Sequence, residues 1–440
     1  MTRMDALERA TGKRSFAGEL SLAAAISVTV VGSAPRAAQG KAEKGEVPLN
    51  QLRIHVKLMV ALVVLAALAM PAAAEAAERR KGGPKVTVMT RNLFLGADLA
   101  PAIEAASIPD AIDGAGTVWN ELQSTKFPER AAPLAREIKR SNADLVGLQE
   151  VALWRKQVPS DGGAPPISPI PGAQPASDVE VDFLALLRAQ LKKIGAKYRV
   201  VVVQEEFGGE LPADVDHSDA TGTGPLAGFG ADFDASLTMR DVILVRKGTK
   251  VELGKTRKGH FETRYEPSVG GIVIPVDRGW VSVEAKVRGK SSKKGKKPRY
   301  RRFRFIDTHL EAFGDPKIRE AQAKELIAGP LDTNKQVILV GDLNSGIERH
   351  NEPERPGDDL AFRALARFGM KDKGAIQSCC YDNLFDPNAV LDHTVDHVLT
   401  KPGLKKIRAY VTGDDASERT ASGLWPSDHG GVVSRLRMRN

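Results

Sequence analysis

Cysteine is almost missing from this chain of 440 residues: the two present, Cys379 and Cys380, stand side by side. Adjacent cysteines meet ordinary disulfide geometry poorly, so a disulfide framework and a thiolate cage for a metal are both excluded. Two thiols in a turn are the expectation, with a vicinal disulfide as the alternative if the chain is exported. Aromatic residues amount to only 5%, which leaves little material for an aromatic membrane-binding hairpin. The apolar run LMVALVVLAALAM, residues 58–70, is too short for a comfortable membrane span. No internal repeat marks a solenoid. What remains, 42% hydrophobic and 27% charged, has the composition of a soluble globular protein.

A general cationic surface is missing too. Of the formal +9, residues 1–77 carry +3 and the segment RGKSSKKGKKPRYRRFR, 288–304, carries +10, so the rest holds −4. The body is mildly acidic and bears one basic segment.

Lys57, the apolar run and then PAAAEAAE supply the n-, h- and c-regions of a secretory signal, with Ala-x-Ala sites at Ala72–Ala74 and Ala74–Ala76. A signal so far from Met1 is expected if translation begins at Val56, read from a GTG codon. Residues 1–77 are therefore taken as an N-terminal extension with an export segment at 57–77, and 78–440 as one catalytic domain. Secretion to the periplasm or exterior follows as an expectation.

From Lys85 onward, strand and helix patterns alternate. KVTVMTRNL (85–93) reads as a buried strand, and 128–140 as an amphipathic helix with Leu134 and Ile138 one turn apart. ADLVGLQEV (143–151) is a strand, and DVEVDFLALLRAQLKKIG (178–195) reads as a helix closed by Gly195. Strands at 280–287 and 300–308 flank the basic segment and make it a hairpin tip. Asp315–Pro316 opens a helix, and another covers 359–368. Pro and Gly in 158–177, and Gly, Asp and Ala in 208–234, predict two long loops.

VILVGDLNSG, 337–346, poses the functional question, because an aliphatic run surfaces directly into Asp342 and Asn344. A carboxylate at such a point is costly unless something pairs with it. The same device recurs. Other strand patterns deliver Asn92, Glu150 and His309, and TVDHVLT and PSDHGG add Asp396, His397, Ser427, Asp428 and His429. One such residue is an ordinary turn; six such events in one chain point to a shared site.

RNLFLGAD, GLQEV, IDTHLEA, GDLNSG, TVDHVLT and SDHGGVV, in this order, resemble the endonuclease/exonuclease/phosphatase superfamily, which contains DNase I-like nucleases and sphingomyelinases. The resemblance implies an α/β fold, a four-layer αββα sandwich of two mixed β-sheets flanked by helices. It implies Glu150 as ligand of a hard cation, Mg²⁺ or Mn²⁺, with Asn92 and Asp428 nearby. Asp342 is expected to orient or deprotonate the attacking water, and Asn344 to hold phosphate or that water. His309 would donate to a phosphoryl oxygen. His429, oriented by Asp396, would act as base or stabilise the pentacovalent phosphate.

The expected activity is in-line hydrolysis of a phosphodiester, with nucleic acid as the favoured substrate. Lys293, Lys294, Lys296, Lys297 and Arg299 are candidate phosphate contacts. A sphingomyelinase-like lipid phosphodiesterase or a phosphatase is the competing enzyme reading, and an anionic membrane would also attract the hairpin. An inactive polyanion- or envelope-binding module is the alternative of a different class. A monomer without a protein partner is expected.

Overall fold

The computed structural model describes residues 83–163, 172–218, 222, 224–289, 299–348 and 356–438. The expected signal segment and Lys293, Lys294, Lys296 and Lys297 lie outside them. Among the described residues no helix is long and apolar enough to cross a membrane.

The chain begins with β1 (Lys85–Asn92), α1 (Ala100–Ile103), α2 (Ile108–Ser124), α3 (Phe127–Ser141), β2 (Leu145–Gln149), β3 (Leu153–Gln157) and β4 (Asp178–Asp182). It continues through α4 (Phe183–Lys193), β5 (Tyr198–Ala213), β6 (Phe233–Arg246), β7 (Val251–His260), β8 (Ser268–Val269) and β9 (Ile272–Val273). Then come β10 (Gly279–Arg288), β11 (Tyr300–His309), α5 (Pro316–Ala328), β12 (Gln336–Glu348) and α6 (Leu360–Arg367). It closes with β13 (Lys371–Asp372), β14 (His393–Thr400), β15 (Leu404–Thr412) and β16 (Gly431–Met438).

Two sheets carry the fold. The first has the order β15-β16-β1-β2-β6-β3-β4, with β5 also paired to β6; the second runs β13-β14-β12-β11-β10-β7. Each contains one parallel pair, β1 with β2 and β11 with β12, among antiparallel neighbours. Alternation along the strands sends side chains to opposite faces. Val88, Leu145 and Ile243 of the first sheet meet Val283, Phe305 and Ile338 of the second. On the outer face of the first sheet, Val146 and Leu148 pack with Leu134, Ile138 and Leu187 of the helices. Beyond the second, Val337 and Leu339 pack with Leu326 and Leu365. The result is the αββα sandwich that the sequence predicts.

The helices at 127–141, 316–328 and 360–367 form where expected, and Asp315 caps the second by accepting from Lys317 N at 2.9 Å. Two expectations need correction. DVEVD is β4 and not the start of a helix, because its two-residue alternation pairs with β3, and Asp182 then caps α4 through Leu184 N at 2.9 Å. The expected loop at 208–234 is strand as far as Ala213, and strand resumes at Phe233. A register shift between Glu205 and Gly208 accommodates the glycines while the ladder to β6 continues. The pattern at Ile108–Ser124 went unread as a helix because its glycines break the apolar rhythm. A Cβ on Gly116 would strike the carbonyl of Asp214, so the helix needs that gap to lie against β5.

The space between the sheets changes character along its length. Beyond Phe303 and Phe305 the inward positions of β11 become Asp307 and His309, all buried. Gln149 Nε2 donates to Asp307 Oδ1 at 2.5 Å, and Gln149 Oε1 accepts from Thr90 Oγ1 at 3.1 Å. Asp241 on β6 is buried in the same layer, one of its oxygens without a hydrogen-bond partner. Gly147 lets the sheets close here, since a Cβ would strike Asp307 and lie 2.6 Å from Val340 Cγ2.

Gly147→Val should therefore destabilise the protein by about 1–3 kcal/mol, read by urea unfolding; an unchanged midpoint would contradict the tight approach. Burial, resisted by Arg278, pushes Asp241 from the usual 3.8 up to about 8. Between those values the folded state holds a proton that the unfolded chain has lost, so stability falls as pH rises through that window. Asp241→Asn should remove this slope. Its melting temperature relative to the parent should climb between about pH 5 and about pH 8 in EDTA, and a flat difference would remove Asp241 from the account.

Candidate active site

Register brings the site together. His309 of β11 pairs with Asp342 of β12, which in turn pairs with Asp396 of β14, so these three form one rung across the second sheet. On the first sheet Asn92 and Gln149 form the end rung of β1 and β2, and Glu150 follows directly. Asp428 and His429 precede β16, which is antiparallel to β1. Ser427 Oγ fastens that turn to Asn92 O at 2.9 Å.

Asp342 is the hub. Its Oδ2 accepts from Asn92 Nδ2 at 3.0 Å and lies 3.5 Å from His309 Nε2 and 3.7 Å from His429 Nε2. Its Oδ1 accepts from Asn344 N at 2.8 Å. Asn92 Nδ2 also donates to Glu150 Oε1 at 2.9 Å, and Leu95 N donates to Glu150 Oε2 at 2.7 Å. Glu150 and Asn344 both adopt left-handed backbone, φ 53° and 43°. Such strain persists only where the surroundings hold it, and here it aims both side chains into the site.

The two imidazoles have opposite environments. Burial, with Arg278 and His429 nearby, holds His309 well below the ordinary histidine range. Its Nδ1 accepts from Arg278 Nη1 at 3.1 Å, which leaves Nε2 as the N–H facing the acids. Arg278 is fixed by Glu311, with Nη2 to Oε1 at 3.3 Å. Burial opposes charge on His429 too, but Asp396, Asp428 and Asp342 outweigh it and raise this imidazole well above its usual range. Its Nδ1 donates to Asp396 Oδ2 at 2.8 Å, and Ser378 Oγ donates to the same oxygen at 2.8 Å.

The site accommodates a hard divalent cation. Oxygens of Glu150 and Asp342, with the imidazole of His309, converge within 4.8 Å. Burial and the charge of Asp428 push Glu150 upward, and burial lifts Asp342 to about 7 despite His429. Two acids this poorly stabilised as anions are what a cation would correct. Asp428 shares a cleft of about 500 Å³ with Glu150, Arg278, Phe94, Phe313 and Cys380, and Asn92 touches both Glu150 and Asp342.

All eight expected catalytic and metal positions, Asn92, Glu150, His309, Asp342, Asn344, Asp396, Asp428 and His429, border this one region. Arg299 does not. It is exposed beside Tyr300, ten residues from His309 and about 30 Å away along an extended strand. His397 turns away to Asp372 at 2.9 Å, as the strand neighbour of an inward Asp396 must. Arg240 binds the carbonyls of Val151 and Ala152 and so braces the loop after Glu150. Sequence reading missed Arg278, Ser378 and the cysteines. Cys379 and Cys380 are bonded as a vicinal disulfide, with their sulfurs 3.5 and 3.9 Å from His429 Nε2. Only the adjacency of the two cysteines was visible beforehand.

Solved structures resemble this one at low identity. A family protein from Bacteroides thetaiotaomicron shares 17% identity, covers 81% of this chain and 98% of its own, and gives a TM-score of 0.45. One from Beutenbergia cavernae shares 19%, covers 80% and 72%, and gives 0.43. A mannosyl-6-phosphatase from Bacteroides thetaiotaomicron shares 16%, covers 80% and 99%, and gives 0.42. No curated protein matches the sequence. The model of the Endonuclease/Exonuclease/phosphatase family matches residues 118–429, nearly the whole span that holds the site, and the chain belongs to that family.

Proposed function

We propose that this protein is an exported phosphodiesterase that depends on a divalent metal and cleaves nucleic acid by in-line attack of water. The observation that carries the reading is the rung His309–Asp342–Asp396 facing Asn92 and Glu150 across the sheet ends. Mg²⁺ or Mn²⁺ held by Glu150 and its neighbours would supply positive charge to a phosphoryl oxygen.

The protein's own groups divide the remaining work. Asp342 takes the proton of the attacking water: its ordinary form near neutrality is balanced between acid and anion. His429 is the poorer base, because the surrounding carboxylates keep it protonated. It stabilises charge on the pentacovalent phosphate instead. His309 stays neutral and donates its Nε2–H to a second phosphoryl oxygen, while Asn344, 3.0 Å from that nitrogen, positions the phosphate. Phe94 and Phe313 on the cleft wall offer apolar faces to a base.

The export pattern around 57–77 supports a secreted enzyme. A lipid phosphodiesterase is the second reading, favoured by the exposed Phe385 on the same cleft. Liposomes of zwitterionic and anionic lipid, assayed beside DNA and RNA, separate the two.

Hydrolysis should vanish in EDTA and return with Mg²⁺ or Mn²⁺, and Asp342→Ala and Asp396→Asn should each lower kcat by about 10²–10⁴-fold. Full activity in EDTA, or in either variant, would refute the assignment. Changing Lys293, Lys294, Lys296, Lys297 and Arg299 together to Gln should leave kcat/KM for a short oligonucleotide within about two-fold, since the flanking pair Arg288 and Tyr300 closes the end of the ladder opposite His309. On long duplex the same variant should show a shallower dependence of binding on salt; an equal slope would remove the hairpin from substrate binding.

A further inference from the structure

Cys379 and Cys380 stand in the wall of the site, against Nε2 of His429, the ring nitrogen that Asp396 does not hold. Cys379 is buried and Cys380 half-buried, and Cys380 borders the cleft that holds Glu150. Their segment is sewn to the His429 turn on both sides: Gly430 N donates to Ser378 O at 2.6 Å, and Tyr381 N to Asp428 O at 2.7 Å. The other face of the imidazole is held by Asp396, itself bonded to Ser378. A carboxylate behind a histidine is the arrangement that orients an imidazole metal ligand.

The distances fit a metal. Tetrahedral zinc with Zn–S of about 2.3 Å and Zn–N of about 2.0–2.1 Å sets sulfur and nitrogen about 3.6 Å apart. The two separations from Nε2 are 3.5 and 3.9 Å. The same geometry places the two sulfurs about 3.8 Å apart, so the disulfide must open first.

We propose that the reduced Cys379–Cys380 pair and His429 Nε2 form a site for one soft divalent cation, Zn²⁺ or Cd²⁺, separate from the oxygen-donor site at Glu150, whose occupancy takes His429 out of catalysis. Opening needs an external thiol or phosphine. A phosphine gives two electrons to break the S–S bond, water supplies a proton to each sulfur and an oxygen to the phosphine, and a phosphine oxide leaves. The cation then displaces both thiol protons and the Nε2 proton to solvent. Thiolate donors prefer Zn²⁺ and Cd²⁺ to Mg²⁺, so the two sites select different ions. The inhibition rests on the proposed hydrolase activity; the binding site does not.

The test uses the folded chain, reduced with a phosphine, desalted under nitrogen and titrated with Cd²⁺. One equivalent should bind with an ultraviolet thiolate-to-cadmium charge-transfer band, which in a chain with two cysteines reports only this pair. The oxidised protein and the Cys379→Ser, Cys380→Ser double variant should lack the band. His429→Gln should keep it and bind about ten-fold or more weakly. With Mg²⁺ in excess, stoichiometric Cd²⁺ should suppress hydrolysis in reduced protein and spare the double variant. No band in the reduced protein, or undiminished affinity in His429→Gln, would overturn the site. Full hydrolysis with the band saturated would overturn the inhibition. A protein inert toward every phosphodiester would sink the hydrolase reading while the band and His429→Gln still judged the site.

Discussion

The side-chain amide of Asn92 ties the ends of the two sheets together, and the charge problem it sits in governs the rest of the site. Its nitrogen donates to Glu150 at 2.9 Å and to Asp342 at 3.0 Å. One neutral amide cannot balance two carboxylates, and Asp241 and Asp307 lie buried in the layer below. Burial forces each acid upward in pKa unless positive charge enters. Arg278 is the arginine closest in role, yet Glu311 already engages it. The sandwich therefore ends in a pocket with a standing demand for a cation. That demand follows from packing two sheets through an apolar half before letting acids into the other half.

The same constraint separates the two histidines. His309 stands between Arg278 and the acid pair and has no carboxylate behind it, so it remains a neutral donor. His429 has Asp396 behind it and other carboxylates around it, so it carries charge. Two chemically identical rings thus receive opposite charge preferences from their neighbours alone, which in the proposed reaction would make one a hydrogen-bond donor and the other an electrostatic partner. The sequence leaves the choice of base open between Asp342 and His429. The environment favours Asp342, because a proton already occupies its competitor.

Much of this was legible in the chain, for a definable reason. Asn92, Glu150, His309 and Asp342 each terminate an aliphatic strand pattern, and a polar group at such a point is visible without knowing its partners. The layered fold was implied by the family resemblance that these motifs carry, and the structure accounts for the aliphatic run Val337 to Val340 as a strand that alternates between two cores. DVEVD misled because its length suits a helix start, and only pairing with β3 reveals a strand. Arg278 was invisible because its role depends on Glu311 and His309, both more than thirty residues away in sequence. The cysteines were dismissed on local geometry, and nothing local says that His429 lies beside them.

The location of the basic segment bears on how the proposed reaction would be organised. Ten cations of residues 288–304 oppose a remainder that is net negative. The flanking ladder starts at Arg288 and Tyr300 and reaches the site only at Gly279 and His309, its other end. Screening over that distance is nearly complete at physiological ionic strength, where the Debye length is about 8 Å. In the proposed reaction the acids at the site would repel a polyanion that arrived without a cation, so charge on the segment beyond Arg288 and Tyr300 would serve capture of a polyanion and not neutralisation of the scissile phosphate. Under the proposed function, selection between substrates would fall to the cleft wall that includes Phe94, Phe313 and Phe385, because charge alone does not distinguish a nucleic acid from a lipid head group.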